Sequence, residues 1–245
     1  MLVDKSEYLS AGIHIGMKSC TNYMKQFVYK IREDGLCVFN LQEVDNRITG
    51  AIGLLSKYKK ILIVSHKEAA MEPVKKFAEL VGGKAMYTRF SPGTLTNPSY
   101  SQFYEPDIVI VVDPTIDRQA IEEAKTRRVP IVGLCGTTNS PEDVDFVIPI
   151  NNNSKKALAL FFWLVARGIQ KNTGKIKSDE EFRTTLKDFG DVGKPKKTSG
   201  AELNLDGNLD VDIDIEIEKT EKKPKKTKAK IKGNVEDGQP KKSGS

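Results

Sequence analysis

The sequence predicts an α/β protein with a doubly wound, mostly parallel sheet that carries helices on both faces. Two runs, K-I-L-I-V-S at 60–65 and D-I-V-I-V-V at 107–112, are apolar almost throughout, as strands buried on both faces must be. Stretches with the apolar spacing of amphipathic helices separate such runs. This alternation is typical of sheets whose parallel strands are connected by helices.

The elements follow one another in regular order. Helical spacing is clearest where Ile48, Ile52 and Leu55 recur on one face, and a Gly82-Gly83 pair ends a second amphipathic helix. The order predicts a sandwich of the flavodoxin or Rossmann type. The full set comprises an apolar run at 36–41, strands at 60–65, 84–88, 107–112, 130–135 and 146–150, and helices at 45–58, 67–81, 117–128 and 154–172.

The folded domain is predicted to span residues 1–190, and residues 191–245 are predicted to form a charged, largely disordered tail. Phe189 is the last aromatic residue, and the tail holds 13 lysines and 11 acidic residues in separate blocks. Within it, residues 209–217 alternate apolar and acidic side chains with a period of two. This segment is expected to be disordered until bound, with strand addition to a neighbouring protein as one way of binding.

Composition favours a cytoplasmic protein with a polyanionic partner. The formal net charge is +6 and the pI is about 9.0. Cys20, Cys37 and Cys135 lie far apart without a C-x-x-C pair, which argues against a disulfide framework or a zinc site. No apolar run reaches the roughly 18–20 residues that span a bilayer, and the N-terminus shows no signal peptide. Neither a metal nor a membrane partner is expected.

The strand ends lack the signatures of an enzyme. Ligands of such sheets bind beyond the carboxyl ends of the strands. The chain contains neither G-x-G-x-x-G after the first strand nor G-x-x-x-x-G-K-[ST], and no G-x-S-x-G elbow. Asp113 and the loop 137–140 are interpreted as turn formers rather than as a base and an anion site. No catalytic residue, cofactor or small-molecule substrate is therefore expected.

Residues 14–17, H-I-G-M, resemble the H-I-G-H signature of class I aminoacyl-tRNA synthetases. Met17 replaces the second histidine of that signature, and no K-M-S-K-S loop follows later in the chain. The resemblance therefore does not predict a synthetase.

Two polar segments favour nucleic-acid binding. Residues 18–30 place lysines among aromatic and amide side chains. Lysines suit phosphates, whereas aromatic and amide side chains suit unstacked bases. A solvated edge with two core aromatics is the alternative for this segment. Residues 88–102 form a longer connection than usual, with a turn at Pro92-Gly93. Its side chains suited to phosphate or ribose oxygens are Arg89, Thr94, Thr96 and Asn97.

Several motifs are similar to those of the ribosomal protein S2 family in its archaeal and eukaryotic branch, which includes the laminin-receptor precursor. They occur in family order, from about residue 1 to 172. The bacterial branch carries an inserted helical hairpin after the first helix region, whereas this chain has only the predicted helix at 45–58 before the strand at 60–65. The matching stretches are A-G-I-H-I-G-M-K-S-C-T-N-Y-M at 11–24, R-F-S-P-G-T-L-T-N-P at 89–98, P-D-I-V-I-V-V-D-P at 106–114, V-P-I-V-G-L-C-G-T-T-N at 129–139, I-P-I-N-N-N-S at 148–154 and L-F-F-W-L-V-A-R at 160–167.

The resemblance implies a structural constituent of the small ribosomal subunit that acts in translation without catalysis. It implies that small-subunit rRNA and neighbouring ribosomal proteins are the partners and that the protein resides on cytoplasmic ribosomes. The RNA-facing residues carried over by motif are Lys18, Thr21, Asn22, Lys25, Arg89, Thr94 and Asn97.

Some positions depart from the family pattern. Met17 replaces a frequent histidine and so removes one polar contact, and Gly136 replaces a frequent aspartate at a strand end. The tail does not match the acidic, tryptophan-containing tail of the animal proteins, so laminin binding is not expected. Two alternatives stay open: a nucleotide- or phosphosugar-binding enzyme that uses a crevice beyond Asp113 and Thr137, and an extraribosomal adhesion or signalling role.

Overall fold

A computed structural model describes residues 1–176, 182 and 184–190 of the chain. The strands are β1 (Val28–Ile31), β2 (Cys37–Phe39), β3 (Ile61–Val64), β4 (Lys84–Met86), β5 (Ile108–Val111), β6 (Ile131–Cys135) and β7 (Phe146–Pro149). The helices are α1 (Lys5–Ala11), α2 (Leu41–Leu55), α3 (Glu68–Val81), α4 (Arg118–Thr126) and α5 (Lys155–Asn172), and short 3₁₀ helices cover Met24–Phe27 and Leu186–Phe189. The predicted tail, with its alternating segment 209–217, lies outside the described residues.

The central sheet contains five parallel strands in the order β4-β3-β5-β6-β7. The chain runs outward from β3 to β4 on one side and from β5 to β7 on the other. The strand order therefore reverses between β3 and β5, and sheets of this type have a crevice at that point, beyond the carboxyl ends of the strands.

The two faces of the sheet pack against different helices. The face that carries Ile63 and Ile110 packs against α2, α3 and α5. The opposite face, which carries Val64, packs against α4 and against Phe90 and Leu95 of the loop that follows β4. Alternate strand residues thus enter separate cores, as the pleat of a strand requires. The prediction of a doubly wound α/β fold is confirmed. None of the described helices is long and apolar enough to cross a membrane.

The N-terminal region differs from the sequence prediction. Helix α1 and strand β1 were not predicted, and the apolar run at 36–41 does not join the central sheet. It forms β2, which pairs antiparallel with β1 and, through Val38, with Ile15. Helix α2 starts four residues before its predicted start because the Asn40 side chain accepts a hydrogen bond from the N–H of Gln42 at 3.1 Å and caps it.

Close packing of α2 against α5 requires a glycine at position 168. A Cβ atom there would lie 2.6 Å from two side-chain atoms of Ile52. Gly168→Ala is therefore expected to lower the free energy of unfolding by about 1–3 kcal/mol, despite the better helix propensity of alanine. Gly53→Ala on α2 is the matched control, because a Cβ there meets nothing within 4 Å. That variant should gain about 0.5–1 kcal/mol in urea denaturation. Equal effects of the two substitutions would contradict the packing argument.

Candidate nucleic-acid interface

The crevice between β3 and β5 is occupied by a buried ion pair. Asp113, which follows β5, is 5% exposed, and its Oδ2 lies 2.6 Å from the Nζ of Lys67. Its Oδ1 accepts hydrogen bonds from the Nδ2 of Asn139 at 2.7 Å and from the N–H of Thr115 at 2.9 Å. Both carboxylate oxygens thus have protein partners, so Asp113 does more than shape the turn that the sequence predicted.

Two buried asparagines complete this network beside β6. The Oδ1 of Asn139 accepts from the N–H of Gly136 at 2.7 Å and from the Nδ2 of Asn152 at 3.1 Å. Asn152 also donates to the carbonyls of Val112 and Leu134, both at 3.3 Å. The end of β6 therefore has a polar role through the backbone of Gly136. A Cβ at Gly136 would lie 2.9 Å from the Oδ1 of Asn152, so this network leaves little room for a side chain there.

The segment that follows Ile15 lies across the end of β6. The N–H of Met17 donates to the Oγ1 of Thr137 at 2.9 Å, and the N–H of Thr21 donates to the Thr137 carbonyl at the same distance. Gly16 permits this approach, because a Cβ there would lie 2.3 Å from the Cγ2 of Thr137. The carboxyl end of β6 is thus covered by the chain's own N-terminal segment.

The first predicted RNA-binding segment is held at the end of β6 and exposes three of its four predicted side chains. Lys18, Asn22 and Lys25 all have exposed side chains. Thr21 is half-buried, and its hydroxyl donates to the Asn139 carbonyl at 2.9 Å. Thr21 therefore fixes the segment to the sheet, whereas the other three side chains point away from the core and are free for a ligand.

The second predicted segment, the loop after β4, presents only part of its predicted residues. Arg89 and Asn97 are exposed. Thr94 is fully buried, and its hydroxyl donates to the Ser91 carbonyl at 2.7 Å. The expectation that Thr94 contacts RNA therefore needs correction: its hydroxyl is used inside the loop, where it stabilises a turn.

A buried glutamate of α4 holds this loop in place. Glu123 is 6% exposed, and its carboxylate accepts hydrogen bonds from the N–H of Gly93 at 2.7 Å and from the N–H of Leu95 at 3.0 Å. The side chain of Gln119 adds a third bond at 3.2 Å. Sequence reasoning did not find Glu123, because a glutamate within a helix of polar character is indistinguishable from a solvent-exposed one.

A small cavity of about 330 Å³ lies beside Arg89, also at the carboxyl edge of the sheet. It is lined by His66 and by Asp117, which is 3% exposed. Burial raises the pKa of Asp117 from 3.8 to about 6, and the nearby charge of Asp113 adds to the effect. The N–H of His66, which donates to the Asp117 carboxylate at 3.4 Å, opposes it.

Asp117→Asn is expected to stabilise the protein at pH 8 by about 3 kcal/mol. The folded state holds the Asp117 proton more tightly than the unfolded state does, so this group's contribution to stability falls as pH rises from about 4 to about 6. Asparagine mimics the neutral form and removes that decline. Urea denaturation of both proteins at pH 4 and pH 8 measures the difference, which should be small at pH 4. An equal difference at both pH values would contradict the assignment.

These features define a class of protein: a doubly wound α/β protein. Side chains around Asp113 fill one part of its crevice, and exposed lysine, arginine and amide groups border the edge where such folds bind ligands. Comparison with known proteins agrees with this class. The family model of ribosomal protein S2 matches residues 8–102 and 100–172.

Two curated relatives are similar to most of the chain. The small ribosomal subunit protein uS2 of Nanoarchaeum equitans is 40% identical over 190 residues, which cover 77% of this chain and 94% of that protein. The small ribosomal subunit protein uS2 of Ignicoccus hospitalis is 42% identical over 199 residues, which cover 76% and 94% respectively. The chain therefore belongs to the ribosomal protein S2 family, and the resemblance seen in the sequence motifs is confirmed.

Proposed function

We propose that this protein is a structural constituent of the small ribosomal subunit, where it binds small-subunit rRNA and neighbouring ribosomal proteins during translation. The observation that carries the proposal is the placement of two exposed, cation-bearing segments along one edge of the sheet. The names of the curated relatives support the same role. In this proposal the protein acts on ribosomes in the cytoplasm, by positioning RNA rather than by catalysis.

The proposed contacts are to phosphate and ribose. Lys18 and Lys25 on the first segment and Arg89 on the second are exposed cations that can neutralise phosphates and release counterions. Asn22 and Asn97 are exposed amides that can donate to ribose or phosphate oxygens. Because hydrogen bonds to Thr137, Asn139 and Glu123 fix the backbone of both segments, binding requires little further ordering of the chain.

The buried network in the crevice supports a role without catalysis. An enzyme that used this crevice would need a pocket with convergent polar groups free for substrate. Both carboxylate oxygens of Asp113 are instead bonded to Lys67, Asn139 and the backbone of Thr115, and the Nδ2 groups of Asn139 and Asn152 also donate within the protein. We further propose a division of roles along the chain. Residues 1–190 form the binding domain, and the lysine-rich residues 219–232 bind rRNA or a neighbouring protein.

The proposal is tested by the salt dependence of binding to small-subunit rRNA. The double variant Lys18→Ala/Lys25→Ala is expected to bind more weakly and to lower the slope of log affinity against log salt by about 1.4–1.8, since two phosphate contacts are lost. The matched control is Lys57→Ala/Lys59→Ala, two exposed lysines near the amino end of β3, at the opposite edge of the sheet. Equal slopes for both double variants, or no rRNA binding by the parent protein, would refute the proposal.

A further inference from the structure

A cavity at the N-terminal region lies apart from the segments around Lys18 and Arg89. It has a volume of about 620 Å³ and lies between α1, the antiparallel pair β1–β2 and the start of α2. This volume falls within the range of about 300–1,000 Å³ that small-ligand sites occupy. The polar side chains of its lining include Lys5, His14, Tyr29, Lys30, Arg32 and Gln42.

The cavity is lined by cations without acidic side chains. Lys5, Lys30 and Arg32 contribute positive charge, and none of the lining residues is aspartate or glutamate. No ion pair of Lys5 or Lys30 occurs within the described part of the chain. Arg32 pairs with Asp34 at 3.2 Å, but both side chains are exposed, and such surface pairs contribute little. The cavity therefore attracts an anionic group.

His14 adds a neutral polar group to this lining. Burial lowers its pKa; the Tyr8 carbonyl raises it, and the Arg32 charge lowers it further. Its Nδ1 is the one buried side-chain nitrogen or oxygen of the described residues that lacks a hydrogen-bond partner of acceptable geometry.

The exposed ring of Tyr29 indicates which kind of anionic ligand suits the cavity. Tyr29 is 72% exposed and stands between the half-buried Val28 and the exposed Lys30 on β1. Tyrosine rings beside lysine and arginine provide the stacking surface on which unpaired bases bind, while the cations take the phosphates. The exposed amide of Gln42 can address a base edge. An acidic peptide would use the cations but would leave the ring and the amide without a role.

We propose that this cavity binds an unpaired nucleotide of RNA, with its base stacked on Tyr29 and its phosphates held by Lys5, Lys30 and Arg32. The inference rests on the proposed function and deepens it, because it adds a single-stranded contact to the backbone contacts around Lys18 and Arg89. It also gives a role to the H-I-G-M segment, since His14 and Ile15 both line the cavity.

Fluorescence anisotropy with single-stranded RNA hexamers of uridine or adenosine tests the inference on the full chain. Tyr29→Ala is expected to weaken hexamer binding about 5- to 100-fold, the range that loss of one stacked base produces. Tyr29→Phe should bind within about twofold of the parent protein, because it keeps the ring. Ile31→Ala is the matched control, since Ile31 lies on the same strand, is 66% exposed and does not line the cavity.

The remaining outcomes separate this inference from the proposed function. Hexamer binding that depends on Tyr29 and persists in Lys18→Ala/Lys25→Ala supports the nucleotide site. Binding that is unchanged in Tyr29→Ala, or absent altogether, overturns the site, while salt-dependent binding to intact rRNA would still uphold the proposed function. A hexamer of glutamate that binds as tightly as RNA, again without dependence on Tyr29, overturns the nucleotide site in favour of an acidic protein segment.

Discussion

Replacement of Asp113 by alanine is expected to lower the free energy of unfolding by about 3–5 kcal/mol, because it leaves a buried charge without its partner. The Nζ of Lys67 would lose its carboxylate while its side chain is only 14% exposed. Asn139 and Thr115 would each lose an acceptor for an N–H group. Urea denaturation measures the loss directly.

Two further variants separate charge from hydrogen bonding. Asp113→Asn keeps an oxygen for the N–H of Thr115 but removes the charge, so its loss should be smaller than that of Asp113→Ala. The control is Glu122→Ala, which breaks the exposed pair with Arg118 at 3.0 Å and should cost no more than about 0.5 kcal/mol. If Asp113→Ala cost as little as this control, the network would not hold the crevice closed.

Glu123→Ala is expected to release the loop after β4 and to lower the free energy of unfolding by about 3 kcal/mol. The carboxylate accepts two backbone hydrogen bonds, and bonds to charged groups contribute about 1.5–3 kcal/mol each. The loss should be accompanied by faster amide hydrogen exchange at Gly93 and Leu95, the two donors, and by little change in the strands.

The same variant tests how the loop serves RNA binding. Removal of an acidic residue makes the protein more basic, so simple electrostatics predicts tighter binding. If Glu123 positions the loop that carries Arg89 and Asn97, Glu123→Ala should instead bind small-subunit rRNA more weakly. Glu79→Ala on α3 is the control of equal charge, because Glu79 is exposed and pairs with Lys76 at 3.2 Å. Equal affinity in the two variants would contradict a positioning role.

The central fold could be predicted because its signals are local. Strands β3, β5 and β6 are short runs of apolar residues, and their predicted bounds lie within one residue of the observed ones. Helices α3 and α5 have regular apolar spacing, and a terminal glycine or serine marks one end of each. A strand that is buried on both faces needs an apolar side chain at each position, so it appears in the sequence as a continuous apolar run.

The N-terminal elements and the buried polar groups could not be predicted in this way. Strand β1 carries exposed Tyr29 and Lys30. It forms because it pairs with β2, and β2 in turn pairs with Ile15 on its other side. Asn139 looks like a turn former, and Glu123 looks like a surface residue of a helix. Their roles depend on groups that are distant in the chain, which no local pattern encodes.

The candidate RNA-binding residues show the same limit of local reasoning. Lys18, Lys25 and Arg89 are exposed, as their charge favours, whereas Thr94 has a suitable hydroxyl but lies in the core of its loop. Residue type indicates which groups can contact phosphate. Only the packing of the loop against α4 decides which of them reach the surface.

Because Gly16 and Met17 contact Thr137, the edge of the sheet that carries Lys18 and Lys25 is complete only after synthesis of the chain has reached Thr137. The hydrogen bond from Met17 to Thr137 joins residues that are 120 positions apart. At elongation rates of about 5–20 residues per second, the lysine-bearing segment emerges roughly 6–24 s before its support has been made. During that interval Lys18 and Lys25 belong to an unanchored nascent chain, so the preorganised edge forms only after β6 has been synthesised.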